Sequence, residues 1–281
     1  MESINRTRPP DAVQKQAELS RLIARTEESV STGKSFNRPS EAPSAWLEIS
    51  SISRQSTIED SWISNIGRAR ILAQQAESTI DTLSNGAVRV RELMVLANNE
   101  TLAPRDREII AIELESFQDQ FNKLSLVKDN YGGQLFHPGD PIQMRIDANI
   151  LVTPAPTLQE VFGNIDVGAT TESLDVIMTE MIDAVRTGTV AERADQLDNA
   201  KSLSDHFSTV LGRQGVFANR LDEQETRLQL SSLNTAERRT ALEQTDVTEA
   251  IAKFQSLLVN LEAAQRLYAK TASTSLIQLI G

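Results

Sequence analysis

Residues 62–97 read WISNIGRARILAQQAESTIDTLSNGAVRVRELMVLA. Apolar side chains recur there at alternating spacings of four and three: Trp62, Ile66, Ala69, Ala73, Ala76, Ile80, Leu83, Ala87, Val90, Met94 and Ala97. This is the seam of an amphipathic helix, sustained for about five heptads and roughly 50 Å at 1.5 Å per residue. Alanine dominates it, so a neighbouring helix can approach closely. All nine prolines lie at 9–10, 39–43, 104 and 138–156, leaving 44–103, 105–137 and 157–281 without one. Proline costs about 3 kcal/mol inside a helix, so these three stretches are where long helices are permitted. Aromatic residues are 4% of the chain, too few for a β-sandwich or barrel. The chain reads as mainly α.

Working outward, Pro104 suits a first helical turn. Ile110, Leu114, Phe117, Phe121, Leu124 and Tyr131 then form a second stripe ending at Gly132 and Gly133. Leu174, Ile177, Met178, Met181, Ile182 and Val185 predict a third helix stopped by Gly188. Thr189 suits an N-cap for a long segment carrying Leu203, Phe207, Val210, Phe217, Leu221 and Leu228, with Gly212 and Gly215 as weak or closely packed points. Val247, Ile251, Phe254, Leu258, Leu261, Tyr268 and Leu276 line one side of a last helix. Between Gly132 and Gly163, Ile142, Met144 and Ile146 alternate with polar residues and Ile150 and Val152 follow, which predicts a short β-hairpin between helices. Residues 157–199 hold nine acidic and two basic side chains and read as a solvated outer face.

The 281 residues carry 28 basic and 39 acidic side chains, a net charge of −11. That balance excludes a nucleic-acid partner, which needs Lys and Arg to displace phosphate counterions. No apolar run approaches the roughly 18 residues of a membrane span, and residues 1–6 do not open a secretory signal peptide. With no cysteine there is no disulfide, zinc-thiolate site or cysteine nucleophile. That composition suits the cytoplasm and an exported chain alike. The first 40 residues hold a thin apolar set (Leu19, Leu22, Ile23, Val30) and the last 35 a broad one. Neither end builds a core alone, so the two are either paired with each other or completed by neighbouring molecules.

Catalysis finds no constellation. His137 lies in a turn and His206 sits mid-helix, neither with a second His at ligand spacing, and both read as solvated. Gly33-Lys34-Ser35 lacks the upstream glycine of a phosphate-binding loop. No enzyme activity, cofactor or metal is expected. Arg89, Arg91 and Arg107 fall in small basic clusters, read as intrahelical pairs such as Arg89 with Glu92, or as partners for acidic groups on an adjacent subunit.

Five stretches then resemble, in order, the bacterial flagellin family. Ser31 to Pro43 (STGKSFNRPSEAP) is similar to the signature near that family's N-terminus. Val88 to Asn99 (VRVRELMVLANN), with Thr101-Leu102 and Arg105-Asp106-Arg107, is similar to its next conserved block, and Asn130 to Phe136 (NYGGQLF) to the ending of that block. Leu211-Gly212-Arg213 with Asn219-Arg220-Leu221-Asp222, and Thr274 to Ile280, resemble its C-terminal motifs. The Arg38-Pro39-Ser40 version, and the segment from Leu158 to Gly188, resemble the hook-associated members that join hook to filament. Ala42 replaces an acidic residue of the signature, and Pro9-Pro10 departs from the family's usual start.

The resemblance implies a long antiparallel, rod-like helical bundle with a small β-hairpin element, and N- and C-terminal helices that pair as a coiled coil on assembly. The implied division is a 1–43 assembly segment disordered in the monomer, rod helices at 44–131 and 171–245, a β element at 132–170, and an assembly helix at 246–281. The implied function is a structural junction of the bacterial flagellum, exported by a type III channel, extracellular and needed for motility. Its partners would be flagellin, the neighbouring hook-associated junction protein, further copies in a ring or helical assembly, and an export chaperone, with no nucleic acid and no membrane. The alternatives are a minimal filament-forming flagellin and, more distantly, a cytoplasmic coiled-coil adaptor. The implied interface comprises Asn37, Arg38, Pro39, Ser40, Glu41, Arg91, Glu92, Asn219, Arg220, Leu261, Tyr268 and Leu276. Pro39 and Pro43 equally suit a helix break capped by Asn37 or Ser40.

Overall fold

The structure is a computed structural model that describes residues 9–280 except Ala169, with side chains described for 13–168 and 170–270. Seven helices carry it: α1 (Pro9–Thr32), α2 (Pro43–Ala97), α3 (Pro104–Ser125), the short α4 (Leu158–Phe162), α5 (Leu174–Thr187), α6 (Val190–Glu243) and α7 (Val247–Ile280). Two antiparallel hairpins lie between α3 and α5 in sequence: β1 (Met144–Arg145) with β2 (Leu151–Val152), and β3 (Ile165–Val167) with β4 (Thr170–Glu172). The chain divides into two compact units, Ile58–Ser232 and the remainder up to Thr57 and from Leu233 on.

Within Ile58–Ser232 the seam is the core. Ile66, Ala69, Ala73, Ala76, Ile80, Leu83, Ala87, Val90, Met94 and Ala97 are each at most 1% exposed. Ile110, Leu114 and Phe121 of α3, the apolar face of α5, and Leu203, Phe207 and Val210 of α6 pack with it. The third stripe is buried as its spacing predicts, from Leu174 to Val185. Ion pairs set the register of the outer faces. The Arg186 guanidinium, on α5, reaches Glu108 at 3.0 Å and Glu115 at 2.6 Å on α3.

The hairpin β1–β2 plugs a second cluster, where Ile146 joins Ile66, Ala69, Ala73, Leu221 and Leu228. Its register pairs Met144 with Val152, and Asn65 Nδ2 donates to Arg145 O at 2.8 Å. Gln214, buried on α6, donates its Nε2–H to Ala73 O (3.2 Å) and Pro154 O (2.8 Å). Gly212 and Gly215 do not interrupt α6. Thr189 caps it as expected: Glu192 N donates to Thr189 Oγ1 (3.3 Å) and Thr189 N to Glu192 Oε2 (2.6 Å), a reciprocal capping box. Of the nine acidic residues in 157–199, all but Glu172 are exposed.

Two expectations are overturned, and a second hairpin is added to the first. Tyr131 is 64% exposed and off the second stripe, because α3 stops at Ser125 and a turn built on Asp129 follows. His206 is not solvated. It lies half-buried with Nε2 3.1 Å from Val161 O and its ring edge-on to Phe207, and burial pushes its pKa down. The second hairpin turns at Gly168, φ +74°, between strands of three residues each, too short for their alternation to be read from the sequence.

Gly86 shows how tightly the seam is filled. A Cβ there would lie 2.6 Å from the ring of Phe121, itself 1% exposed and flanked by the tilted rings of Phe117 and Phe207, each at a centroid distance of 6.1 Å. Overpacking in Gly86→Ala is expected to cost about 1–3 kcal/mol against roughly 1 kcal/mol gained in helix propensity, a net destabilisation of up to about 2 kcal/mol. Gly212→Ala meets nothing within 4 Å and is expected to stabilise by up to about 1 kcal/mol. Urea unfolding followed by helical circular dichroism measures both signs.

Candidate assembly interface

The signature stretch forms the connection from α1 to α2, and its shape follows from a few backbone bonds. Gly33 turns the chain at φ +68°, a region where side chains are strained. The next residues lie antiparallel to the α6–α7 connection: Ser35 N donates to Glu243 O (2.8 Å), Thr245 N to Gly33 O (3.0 Å), and Ser35 Oγ to Gln244 O (2.8 Å). Asp246 then starts α7, its Oδ1 accepting from Thr248 N at 2.9 Å and Glu249 N at 3.1 Å. The two connections are thereby sewn together.

Glu41 organises the turn that follows. Its Oε2 accepts from Asn37 N at 2.9 Å and Arg38 N at 3.4 Å, its own N–H donates to Arg38 O at 3.0 Å, and Oε1 lies 3.5 Å from the Arg25 guanidinium on α1. The Asn37 N–H, foremost, holds its carboxyl below the usual carboxylate range; Arg25 and Arg38 act the same way, while burial opposes. Pro39 and Ser40 lie exposed at the turn and Pro43 takes the first position of α2. Phe36 meets Trp46 edge-on at 6.4 Å. A cleft of about 400 Å³ opens here, lined by Lys34, Phe36, Asn37, Trp46, Ile49 and Arg239 among others. Its charges are already matched, since Glu243 lies 4.0 Å from Lys34 and 2.8 Å from Arg239.

In the same unit α7 packs on α1. Ala250 is buried, and Phe254, Leu257, Leu261 and Ala264 are half-buried in the 4–3 spacing of a coiled-coil seam. Of the expected apolar side of α7, Phe254 and Leu261 lie in the seam, while Ile251 and Leu258 stay 41% exposed, with Val259 at 66% and Leu267 at 65%. Of the expected contact residues, Leu261 is in the seam and Tyr268 is 37% exposed, while the Leu276 side chain lies outside the described residues.

The other expected residues belong to Ile58–Ser232. Glu92 is exposed and bonded to Arg89 (3.0 Å), which also reaches Glu113 on α3 (3.1 Å). Arg89 is therefore satisfied within the chain, as is one arm of Arg107, whose Nη2 donates to Leu102 O at 3.0 Å. Arg91 is half-buried, and Asn219 and Arg220 are exposed beside the buried Leu221 and beside Asp222, which pairs with Arg70. Reading the sequence missed Glu243, Gln244, Arg25 and Trp46 as partners of the signature loop. Only Asp246, three residues before Glu249, left a signal, that of a helix start.

Residues 11–137 are similar to the family described as the bacterial flagellin N-terminal helical region. No curated relative matches the chain by sequence. Among solved structures, it is similar to a putative flagellar hook-associated protein from Vibrio parahaemolyticus (17% identity, 73% of this chain and 100% of that one, TM-score 0.65). It is similar also to FlgL from Xanthomonas campestris (14%, 67% and 99%, 0.57) and to the flagellar junction protein FlgL from Legionella pneumophila (13%, 71% and 99%, 0.50). At these identities the likeness establishes a shared fold.

The Glu41 clamp has a pH signature. A carboxyl held below its ordinary value of 4.5 stabilises the fold above that value and loses the contribution as pH falls through its lowered value. Below about pH 4.5 the Asn37 and Arg38 amides are expected to lose exchange protection in wild type. Glu41→Gln is expected to lower their protection already at pH 7 and to abolish the acid step. Amide exchange by NMR across pH 3–7 checks it.

Proposed function

We propose that this chain, whose residues 11–137 match the flagellin N-terminal helical region, is a structural protein of the bacterial flagellum. It links the hook, through a neighbouring hook-associated protein, to the flagellin filament, and motility depends on it. The observation that carries the reading is α7: a long helix with large apolar residues on the faces that α1 does not cover. A helix apolar on more sides than one partner hides is built for burial among several neighbours. Further copies, flagellin above and the junction protein below supply them. The order of motifs, the similar fold of hook-associated structures and the unmatched apolar surface support the same reading.

The work is mechanical and non-enzymatic. Torque passes through helices locked by a close-packed seam, and assembly completes the burial of α1 and α7. The signature loop from Asn37 to Glu41, together with Arg91, Glu92, Asn219, Arg220, Leu261, Tyr268 and Leu276, contributes contacts between subunits. The chain reaches the cell exterior by flagellar export, with a chaperone covering α7 until then. As free monomer, α1 and α7 exchange amide hydrogens fast, while residues 62–130 are protected.

Deleting the gene is expected to leave hooks without filaments and flagellin released to the medium. If filaments still form, or if the purified chain alone grows long filaments, the junction assignment is wrong and the second outcome makes it a minimal flagellin. Leu258→Glu is expected to abolish incorporation in a complementation assay, while unfolding of Ile58–Ser232 stays within about 0.5 kcal/mol of wild type.

A further inference from the structure

The chain has two histidines, and both bear on the five-residue helix α4. At its start, His137 O accepts from Leu158 N at 3.0 Å, and His137 Nδ1 accepts from Gly139 N at 3.2 Å. At its end, His206 of α6 meets Val161 O through Nε2 at 3.1 Å. The last carbonyls of a helix have no partner within it, and a side chain from α6 takes this one. A helix of five residues does not hold itself. Thr157 and Glu160 close a capping box at its start, and Val161 and Phe162 are buried, with Phe162 edge-on to Phe136 at 5.6 Å. His206 adds a directional tie from α6.

The geometry fixes the tautomer. A carbonyl oxygen only accepts, so His206 Nε2 carries a hydrogen and, in the neutral ring, Nδ1 carries none. The ring is half-buried and edge-on to Phe207 at 5.7 Å. Burial, foremost, holds its pKa below the ordinary 6.5; the Val161 and Glu160 carbonyls oppose, Arg213 on α6 lowers it further, and Asp166 on β3 opposes. The Glu160 carboxylate itself is turned away into the Thr157 capping box.

We propose that the bond from His206 to Val161 is a pH-sensitive strap, which holds α4 against α6 while the ring is neutral and slackens when the ring gains a proton. A second proton, on Nδ1, puts a full charge in a half-buried site, and desolvation disfavours the charged form there. The ring regains its hydration by parting from α4. A histidine held below its ordinary value contributes stability that is fully present above 6.5 and is lost as pH falls from 6.5 through its lowered value. Release of α4 uncovers the side chains of Val161 and Phe162. The strap lies wholly within Ile58–Ser232 and is independent of the flagellar reading.

The test is amide exchange by NMR on the full chain at about pH 5.5 and about pH 7.5, on either side of the histidine range, each rate divided by its intrinsic value. The Val161 and Gly163 amides bond within α4 to Thr157 O and Gln159 O. In wild type they are expected to be several-fold less protected at the lower pH, while the amides of α5 keep their protection. His206→Gln sets an N–H at similar reach without a titrating ring and is expected to hold the protection at both pH values. His206→Leu is expected to lose it at both. If the Leu variant does not fold, the Gln variant and the ring ¹⁵N spectrum decide, the latter expected to show the Nε2–H form at about pH 7.5. Equal protection at the two pH values in wild type, a step that survives in His206→Gln, or an Nδ1–H ring would overturn the proposal. So would a step abolished by His137→Asn, which keeps an acceptor for the Gly139 N–H.

Discussion

Close approach along the alanine seam of α2 sets the dimensions of everything packed on Ile58–Ser232. Side chains at a helix contact fix the separation of the axes, within about 8–10 Å. With Ala69, Ala73, Ala76, Ala87 and Ala97 on that line, the volume missing from the seam is supplied from elsewhere. Phe121 lies over Gly86, and the Phe207 ring meets Phe121 at a tilt. Aromatic residues are scarce in this sequence, yet three of the eight phenylalanines, Phe121, Phe136 and Phe207, are among the largest fully buried side chains. Small residues on one helix and rings on its neighbours interdigitate, a packing that resists sliding because every shift meets a ring.

The rest of the chain works under the opposite constraint. In the unit that contains α1 and α7 the described core reduces to Ile49, Ile52 and Ala250 with half-buried neighbours. Its cohesion comes from directional contacts: the antiparallel stitch between Gly33–Ser35 and Glu243–Thr245, and the Glu41 turn. Exposed ion pairs such as Arg238 with Glu48 add little, about 0–1 kcal/mol each. A structure held by a few hydrogen bonds around exposed aliphatic surface opens locally at low cost.

Much of this was legible in residue order. The seam, the α5 stripe, the Thr189 cap and the first hairpin were readable because each depends on a local period or a capping pair. What escaped depends on contacts between distant segments. Nothing near Ser35 announces Gln244, more than two hundred residues away, and nothing near His206 announces Val161. Only part of the expected α7 stripe, Phe254 and Leu261, falls in the seam, for a related reason. A helix apolar on several sides has no single preferred face in its sequence, and the side that becomes the seam is chosen by Leu19, Ile23 and Val30 of α1, whose intermediate burial marks the contact. Tyr131 was assigned to a helix because its spacing fitted, but an Asp129 side chain bonding two backbone amides competes with helix continuation and wins.

That ambiguity in α7 is itself informative about design. A monomeric protein would gain by making the outward faces polar, since exposed Leu267 and Val259 lower solubility without stabilising the fold. Retaining them makes sense where the outward faces are inward faces of something larger. The division of labour then follows from burial alone. On the proposed function, the part that buries its apolar residues in itself supplies stiffness, and the part that leaves large apolar residues exposed supplies cohesion between copies.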